Sequence, residues 1–212
     1  MKMSAPTGNL EPGRRGLGVI VMAAGLGTRM KSKRAKVLHP LAGRPMVLYV
    51  VELAMKLAGH RIAVVVGHQA EDVRRVISEA VRGRKDAGSV VLVEQAQRLG
   101  TGHAVLQSRP VFIAPGKSSP SDYLILNGDT PLLTEETLRE LLRVHDEENA
   151  TVTLLTAQVD NPSGYGRVIR REHGGKGDRS ATAEVLKIVE ERDAMPAQRA
   201  VKEINVGTYV VA

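Results

Sequence analysis

The chain of 212 residues contains no cysteine and no tryptophan, and only one phenylalanine and four tyrosines. Without cysteine, disulfides, thiolate metal sites and cysteine nucleophiles are excluded, and a cytoplasmic protein is expected. With aromatics at 2%, the core has to be aliphatic, and the stacking residues of a single-strand nucleic-acid binder are missing. No segment approaches the roughly 20 apolar residues that a membrane helix needs. The opening run MKMSAPTGNLEPGRRG has no apolar stretch, so it is not read as a secretory signal, and residues 1–16 read as a flexible leader. What the chain does have is positive charge, a net +7 with a pI near 9.9. Such a balance suits phosphate-bearing small molecules, and with so few aromatics neither nucleic acid nor membrane is the expected partner.

Hydrophobic residues make up 42% of the chain, which is globular rather than disordered. The first two thirds alternate short apolar runs with amphipathic stretches. Val19–Met22, Arg61–Val66, Ser89–Val93 and Tyr123–Asn127 read as buried strands. Met46–Ala58, with Pro45 in its first turn, Asp72–Val81, and a segment after Thr134 carrying Leu138, Leu141 and Leu142 read as helices. A short helix is expected from Gly100 until about Pro110. This alternation predicts an α/β fold with a mixed, mainly parallel sheet. The remainder changes character: Thr151–Gln158, Arg167–Arg170, Val185–Val189 and Val206–Val211 read as strands without clear intervening helices, and 172–183 reads as a loose surface loop. No internal repeat, and no run of hexapeptide β-helix repeats, is present.

The strand at Val19 runs straight into the turn A-A-G-L-G-T-R-M, after which five of the eight residues from Arg29 to Lys36 are basic. Gly25 and Gly27 allow positive φ and let a ligand approach the backbone, whose N–H groups form a concavity for anions. The turn is neither a Walker loop, since no Lys-Ser or Lys-Thr follows at the required spacing, nor a dinucleotide fingerprint, since Met30 stands where the third glycine belongs. In open α/β sheets ligands bind beyond the carboxyl ends of the strands. The unusual residues of this chain fall at those ends: Gly25 to Arg29 after the first strand, Gln95 and Gly100-Thr101 after the third, Asp129 after the fourth. Asp129 is the candidate ligand for a hard cation such as Mg²⁺, which takes one or two carboxylates plus substrate phosphates. G-D-T-P is also turn chemistry, so Asp129 reads equally as a capping residue. His39 and His103 read as structural.

The order of these segments resembles the sugar-phosphate nucleotidyltransferases, and in particular the uridylyltransferase domain of the N-acetylglucosamine-1-phosphate uridylyltransferases. The matching runs are AAGLGTRM at 23–30, KVLH at 36–39, Q-x-x-x-x-GTGHA at 95–104, NGDTPL at 127–132, NPSGYGR at 161–167, IVEERDA at 188–194 and EINVG at 203–207. The resemblance spans Leu17 to about Val211 and implies a Rossmann-like nucleotidyltransferase domain over 17–212, with helices on both sheet faces. It implies that Ala23, Ala24, Gly25 and Gly27 hold the nucleotide, that Gln95, Gly100 and Thr101 lie at the uracil, and that Arg29 and Lys36 act on the triphosphate. Asp129 would bind Mg²⁺, and Gly166, Glu190 and Asn205 would hold the amino sugar. The implied reaction joins UTP and N-acetylglucosamine 1-phosphate into UDP-N-acetylglucosamine and pyrophosphate, for cell-envelope precursors.

The chain departs from the family pattern in two places. Ala35 stands where a proline usually precedes the phosphate-binding lysine. The sequence stops at Ala212, whereas the family continues with a segment supplying an asparagine as second metal ligand and then a β-helix acetyltransferase domain. An incomplete domain is therefore expected, with neither acetyl transfer nor β-helix trimerisation. Two further readings stay open: a nucleotidyltransferase for another sugar phosphate or base, and a sugar-nucleotide-binding module of impaired turnover. Read without the family, Glu190 sits among charges as a solvated residue, and Asn205 satisfies backbone near a strand end.

Overall fold

The computed structural model describes residues 16–25, 27, 30–57, 61–97, 99–113, 119–171 and 184–212. These fall into two compact units: the chain up to Val152 with Val210–Ala212, and Thr153–Tyr209. The expected leader at 1–16, apart from Gly16, the expected loop at 172–183 and Arg29 lie outside the described residues.

In the first unit β1 (Leu17–Ala23) is followed by a 3-10 turn at Lys36–Leu38 and by a small hairpin of β2 (Pro40–Leu41) and β3 (Arg44–Pro45). Pro45 thus pairs with Pro40 in the hairpin, and not in the first turn of α1 (Met46–Leu57) as expected. Ala42 and Gly43, both at positive φ, make the two-residue connection that matches the strand twist. Then come β4 (Ile62–Val66), α2 (Ala70–Val81), β5 (Val90–Glu94), α3 (Thr101–Gln107), α4 (Arg109–Phe112), β6 (Asp122–Asn127) and α5 (Glu135–Glu147). Pro110 does not end the helix near it: it sits in the first turn of α4, where no N–H is needed.

The strands β5, β4, β1 and β6 lie side by side, all parallel, with Val19 opposite both Ile62 and Leu124. The two central runs, LGVIVMA and IAVVV, are almost entirely buried, as a parallel sheet covered on both faces requires. Alternation along β1 divides its side chains between the faces. Ile20 packs with Ala63, Val65, Ala104 and Phe112 under α3 and α4, while α1 and α2 lie against β4. The single phenylalanine meets Tyr123 edge to face at 5.2 Å between centroids, an arrangement the ring quadrupoles favour. Thr134 caps α5 by accepting from the Thr137 N–H at 3.2 Å. Among the described residues no helix is long and apolar enough to cross a membrane.

The second unit holds β8 (Arg167–Arg170), β9 (Val185–Val189) and all but the ends of β7 (Val152–Gln158) and β10 (Glu203–Val211), with one short helix, α6 (Pro196–Arg199), between β9 and β10. The helix was not expected. It spans barely one turn, below the length at which hydrophobic period is readable. The strand β8 pairs antiparallel with β9 and with β10. Arg167, 1% exposed, is the anchor: its guanidinium donates to Glu191 at 2.6 Å and to the Tyr165 carbonyl. That guanidinium, together with the Gly164 N–H, holds the Glu191 carboxyl below its ordinary range.

Candidate functional site

The carboxyl ends of β1, β5 and β6 open into a cavity of about 390 Å³ in the first unit. Ala24, Gly25, Lys36, Gln95, Gly100, Thr101 and Asp129 all line it, so residues over a hundred positions apart in sequence meet there. Ala23, 1% exposed, is not in the wall but ends β1 behind it. The loop is closed by close packing. A Cβ on Gly27 would fall 2.5 Å from the Lys36 Cβ, and Gly27 has φ +60°, so this glycine holds Lys36 through lack of a side chain. Gly25 does not use positive φ: it is exposed, and nothing lies within 4 Å of where its Cβ would be. Its missing side chain leaves open space before the backbone.

The basic stretch is held from outside. The Gln69 amide nitrogen donates to the Lys33 carbonyl at 2.8 Å, while its oxygen accepts from the Ala35 N–H. Ala35 therefore supplies an N–H that proline would lack, and its φ of −53° is one proline could also adopt. The turn 127–130 closes when the Thr130 hydroxyl donates to the Asn127 carbonyl at 2.8 Å. It presents Asp129, 23% exposed, whose carboxylate pairs with the Lys36 ammonium. Among the described residues no group of three or more His, Cys, Asp or Glu side chains converges to hold a metal. One partly exposed carboxylate fits a divalent ion carried mainly by substrate phosphates, not one caged by the protein.

Gln95 is 6% exposed, and its own N–H donates to the Val66 carbonyl at 2.8 Å, fixing it to the end of β4. Its amide nitrogen lies 3.1 Å from both the Gly100 carbonyl and His103 Nδ1. Gly100 makes this possible at φ +96° and ψ 179°, a conformation essentially restricted to glycine.

The second unit brings together the other three predicted residues. The Asn205 N–H donates to the Gly166 carbonyl at 2.8 Å. A Cβ on Gly166 would lie 3.2 Å from Glu190 Oε1, so Glu190 stands directly over that glycine. Glu190 is exposed, and the Asn205 side chain is engaged, accepting from the Gly207 N–H at 3.1 Å and donating to the Tyr209 hydroxyl at 2.6 Å. Two features escaped the sequence reading: the Gln69 clamp, which crosses 34 residues and has no local signature, and the contact of His103 with Gln95.

A parallel sheet with a cavity at its carboxyl edge is the architecture of an α/β nucleotide-binding protein. The chain is 45% identical to the bifunctional protein GlmU of Bacillus licheniformis over 190 residues, and 47% identical to that of Exiguobacterium sibiricum over 191. These alignments take in 90% of the chain but only 37% and 38% of the relatives, so it spans less than two fifths of their length. A solved UDP-glucose pyrophosphorylase complexed with UDP-glucose shares the fold at TM-score 0.69 and 18% identity, over 92% of this chain and 76% of that one. The inositol-1-phosphate CTP transferase of T. maritima does so at 0.66 and 18%, over 95% and 72%. The MobA-like NTP transferase domain matches residues 19–191, and the chain belongs to that family.

Proposed function

We propose that the chain transfers a uridylyl group from UTP to N-acetylglucosamine 1-phosphate, giving UDP-N-acetylglucosamine and pyrophosphate, in the cytoplasm and with Mg²⁺. The observation that carries this reading is the convergence of Lys36, Asp129, Gln95 and the open backbone at Gly25 on one cavity. The GlmU relatives and the NTP transferase domain support uridylyl transfer to a sugar phosphate. On this reading 17–212 works as one nucleotidyltransferase domain.

The sugar phosphate oxygen attacks the α-phosphate in line, a new P–O bond forms, and the bond to the leaving pyrophosphate breaks. Both reactants are anions and the nucleophile is already ionised near neutral pH, so the protein's task is positioning and charge stabilisation. The backbone at Ala24 and Gly25 faces the phosphates, with Ala23 supporting it from behind and Gly27 holding Lys36 close. Lys36, 42% exposed on a flexible stem, exchanges its carboxylate partner for a phosphate oxygen, and Arg29 joins it there. Asp129 is then free to take the divalent ion, which when bound offsets phosphate charge. Gln95 meets the base beside Gly100 and Thr101. Gly166, Glu190 and Asn205 take the amino sugar, for which the exposed Glu190 carboxylate is the available acceptor of hydroxyl hydrogens.

The test is pyrophosphate release from UTP, N-acetylglucosamine 1-phosphate and Mg²⁺. Release that needs both substrates is expected, and its absence from folded protein would overturn the reading. Asp129→Ala is expected to abolish turnover, and wild-type rates in that variant would remove Asp129 from the mechanism.

A further inference from the structure

A hydrogen-bond chain with no part in the reaction leads away from the cavity wall at Gly100 and Gln95. It runs from the Gly100 carbonyl through Gln95 and His103 to Gln107. The Gln95 nitrogen lies 3.1 Å from the Gly100 oxygen and 3.1 Å from His103 Nδ1. A backbone carbonyl has no hydrogen to give, so the Gln95 atom facing it has to be the nitrogen, and the amide has one orientation. Both amide hydrogens are then spent, one on the carbonyl and one on the ring. His103 Nδ1 is consequently the bare acceptor, and the neutral ring carries its proton on Nε2. The Gln107 amide nitrogen lies 3.1 Å from Nε2; two N–H donors cannot bond each other, so the Gln107 amide is assigned the opposite orientation, its oxygen accepting from that N–H. What remains is Gln95 Oε1. It has no partner among the described residues, although the side chain is only 6% exposed and lines the cavity.

We propose that His103, braced by Gln107, is a positioning residue that locks the Gln95 amide with its oxygen as the one free polar atom, so that the base subsite selects an imide base. This rests on reading the cavity as the nucleotide site. A lone acceptor takes the N3–H of uracil or thymine. Cytosine presents a lone pair at N3, which would face the Gln95 oxygen with no hydrogen between them. A free glutamine amide offers a base both donor and acceptor; the network leaves Gln95 the acceptor alone. Removing the ring frees one of the two hydrogens that fix the amide. Rotation then costs one hydrogen bond less, and discrimination weakens.

The experiment measures equilibrium binding of UTP and CTP, with Mg²⁺, to the wild type, His103→Leu and His103→Asn. The wild type is expected to prefer UTP. His103→Leu is expected to reduce the UTP/CTP ratio about three- to tenfold, the worth of one hydrogen bond. His103→Asn places an amide oxygen near the former Nδ1 and is expected to restore the ratio. A His103→Leu variant that is folded and keeps the wild-type ratio overturns the proposal. A wild type that binds both nucleotides equally overturns the underlying reading of Gln95 as the base contact, a different result. Nitrogen-15 NMR of the imidazole gives a readout that needs neither ligand nor variant: Nε2 protonated and Nδ1 bare is expected, and a proton on Nδ1 would refute the assignment.

Discussion

Gly25 and Gly27 stand two residues apart in one motif, yet alanine at each should fail differently. At Gly27 an alanine has to hold φ +60°, which costs an L-residue about 1–2 kcal/mol. Its Cβ would also lie 2.5 Å from the Lys36 Cβ, against an ordinary carbon contact of about 3.5–4.0 Å. Relief requires roughly 1 Å of movement. Holding the packing instead would add about 1–3 kcal/mol of overpacking. Residue 27 is in neither helix nor strand, so the cheaper course is for the loop and Lys36 to part. The stability loss should then stay at the lower figure, and the main effect should be on function, since a displacement of that size costs on the order of a hundredfold in rate. Alanine at Gly25 meets no protein atom within 4 Å. It should leave stability unchanged or raise it by about 0.4–1 kcal/mol through the unfolded state, while weakening UTP binding because its methyl fills the space before the backbone. Thermal unfolding and calorimetric titration with UTP check both variants. Gly25→Ala binding UTP as the wild type does would mean that phosphates do not approach there. Gly27→Ala with wild-type turnover would mean that the close packing does not position Lys36.

Gln69→Ala removes both bonds that hold 33–35, so limited trypsin digestion should nick after Lys33 or Arg34 faster than in the wild type, with UTP binding weakened several-fold, about one hydrogen bond's worth. Leu124→Ala, at a fully buried position in β6, should cost about 2–5 kcal/mol by urea unfolding. The Arg170 guanidinium holds the Glu203 carboxyl below its ordinary value, with burial opposing and Thr156 assisting. A depressed carboxyl stabilises the fold above its unfolded pKa, about 4.3, and that contribution is lost as pH falls through the lower, folded value. The stability advantage of the wild type over Glu203→Gln should therefore be full at neutral pH and vanish only on the acid side of the glutamate range; an advantage independent of pH would contradict this.

The sequence by itself determined the parallel half of the fold, because β1 and β4 are continuous apolar runs rich in β-branched residues and buried on both faces, and α2 and α5 have amphipathic period. Such signals are local, and burial only reads them out. It also determined that Gly25, Gln95, Gly100, Thr101 and Asp129 would meet, since each follows a strand and all strands of a parallel sheet end on one side. Short elements stayed illegible: β2, β3 and α6 are too brief to show a period, and Pro45 and Pro110 signal helix starts and stops with equal force. Only the tertiary structure decided which way the Gln95 amide faces, because both ends of glutamine are alike in sequence and a carbonyl and an imidazole choose between them. Likewise only the fold brought Gln69 to Ala35, 34 residues away, and set Lys36 on Asp129. Contacts of that kind depend on distances across the chain, which no local pattern of residues encodes.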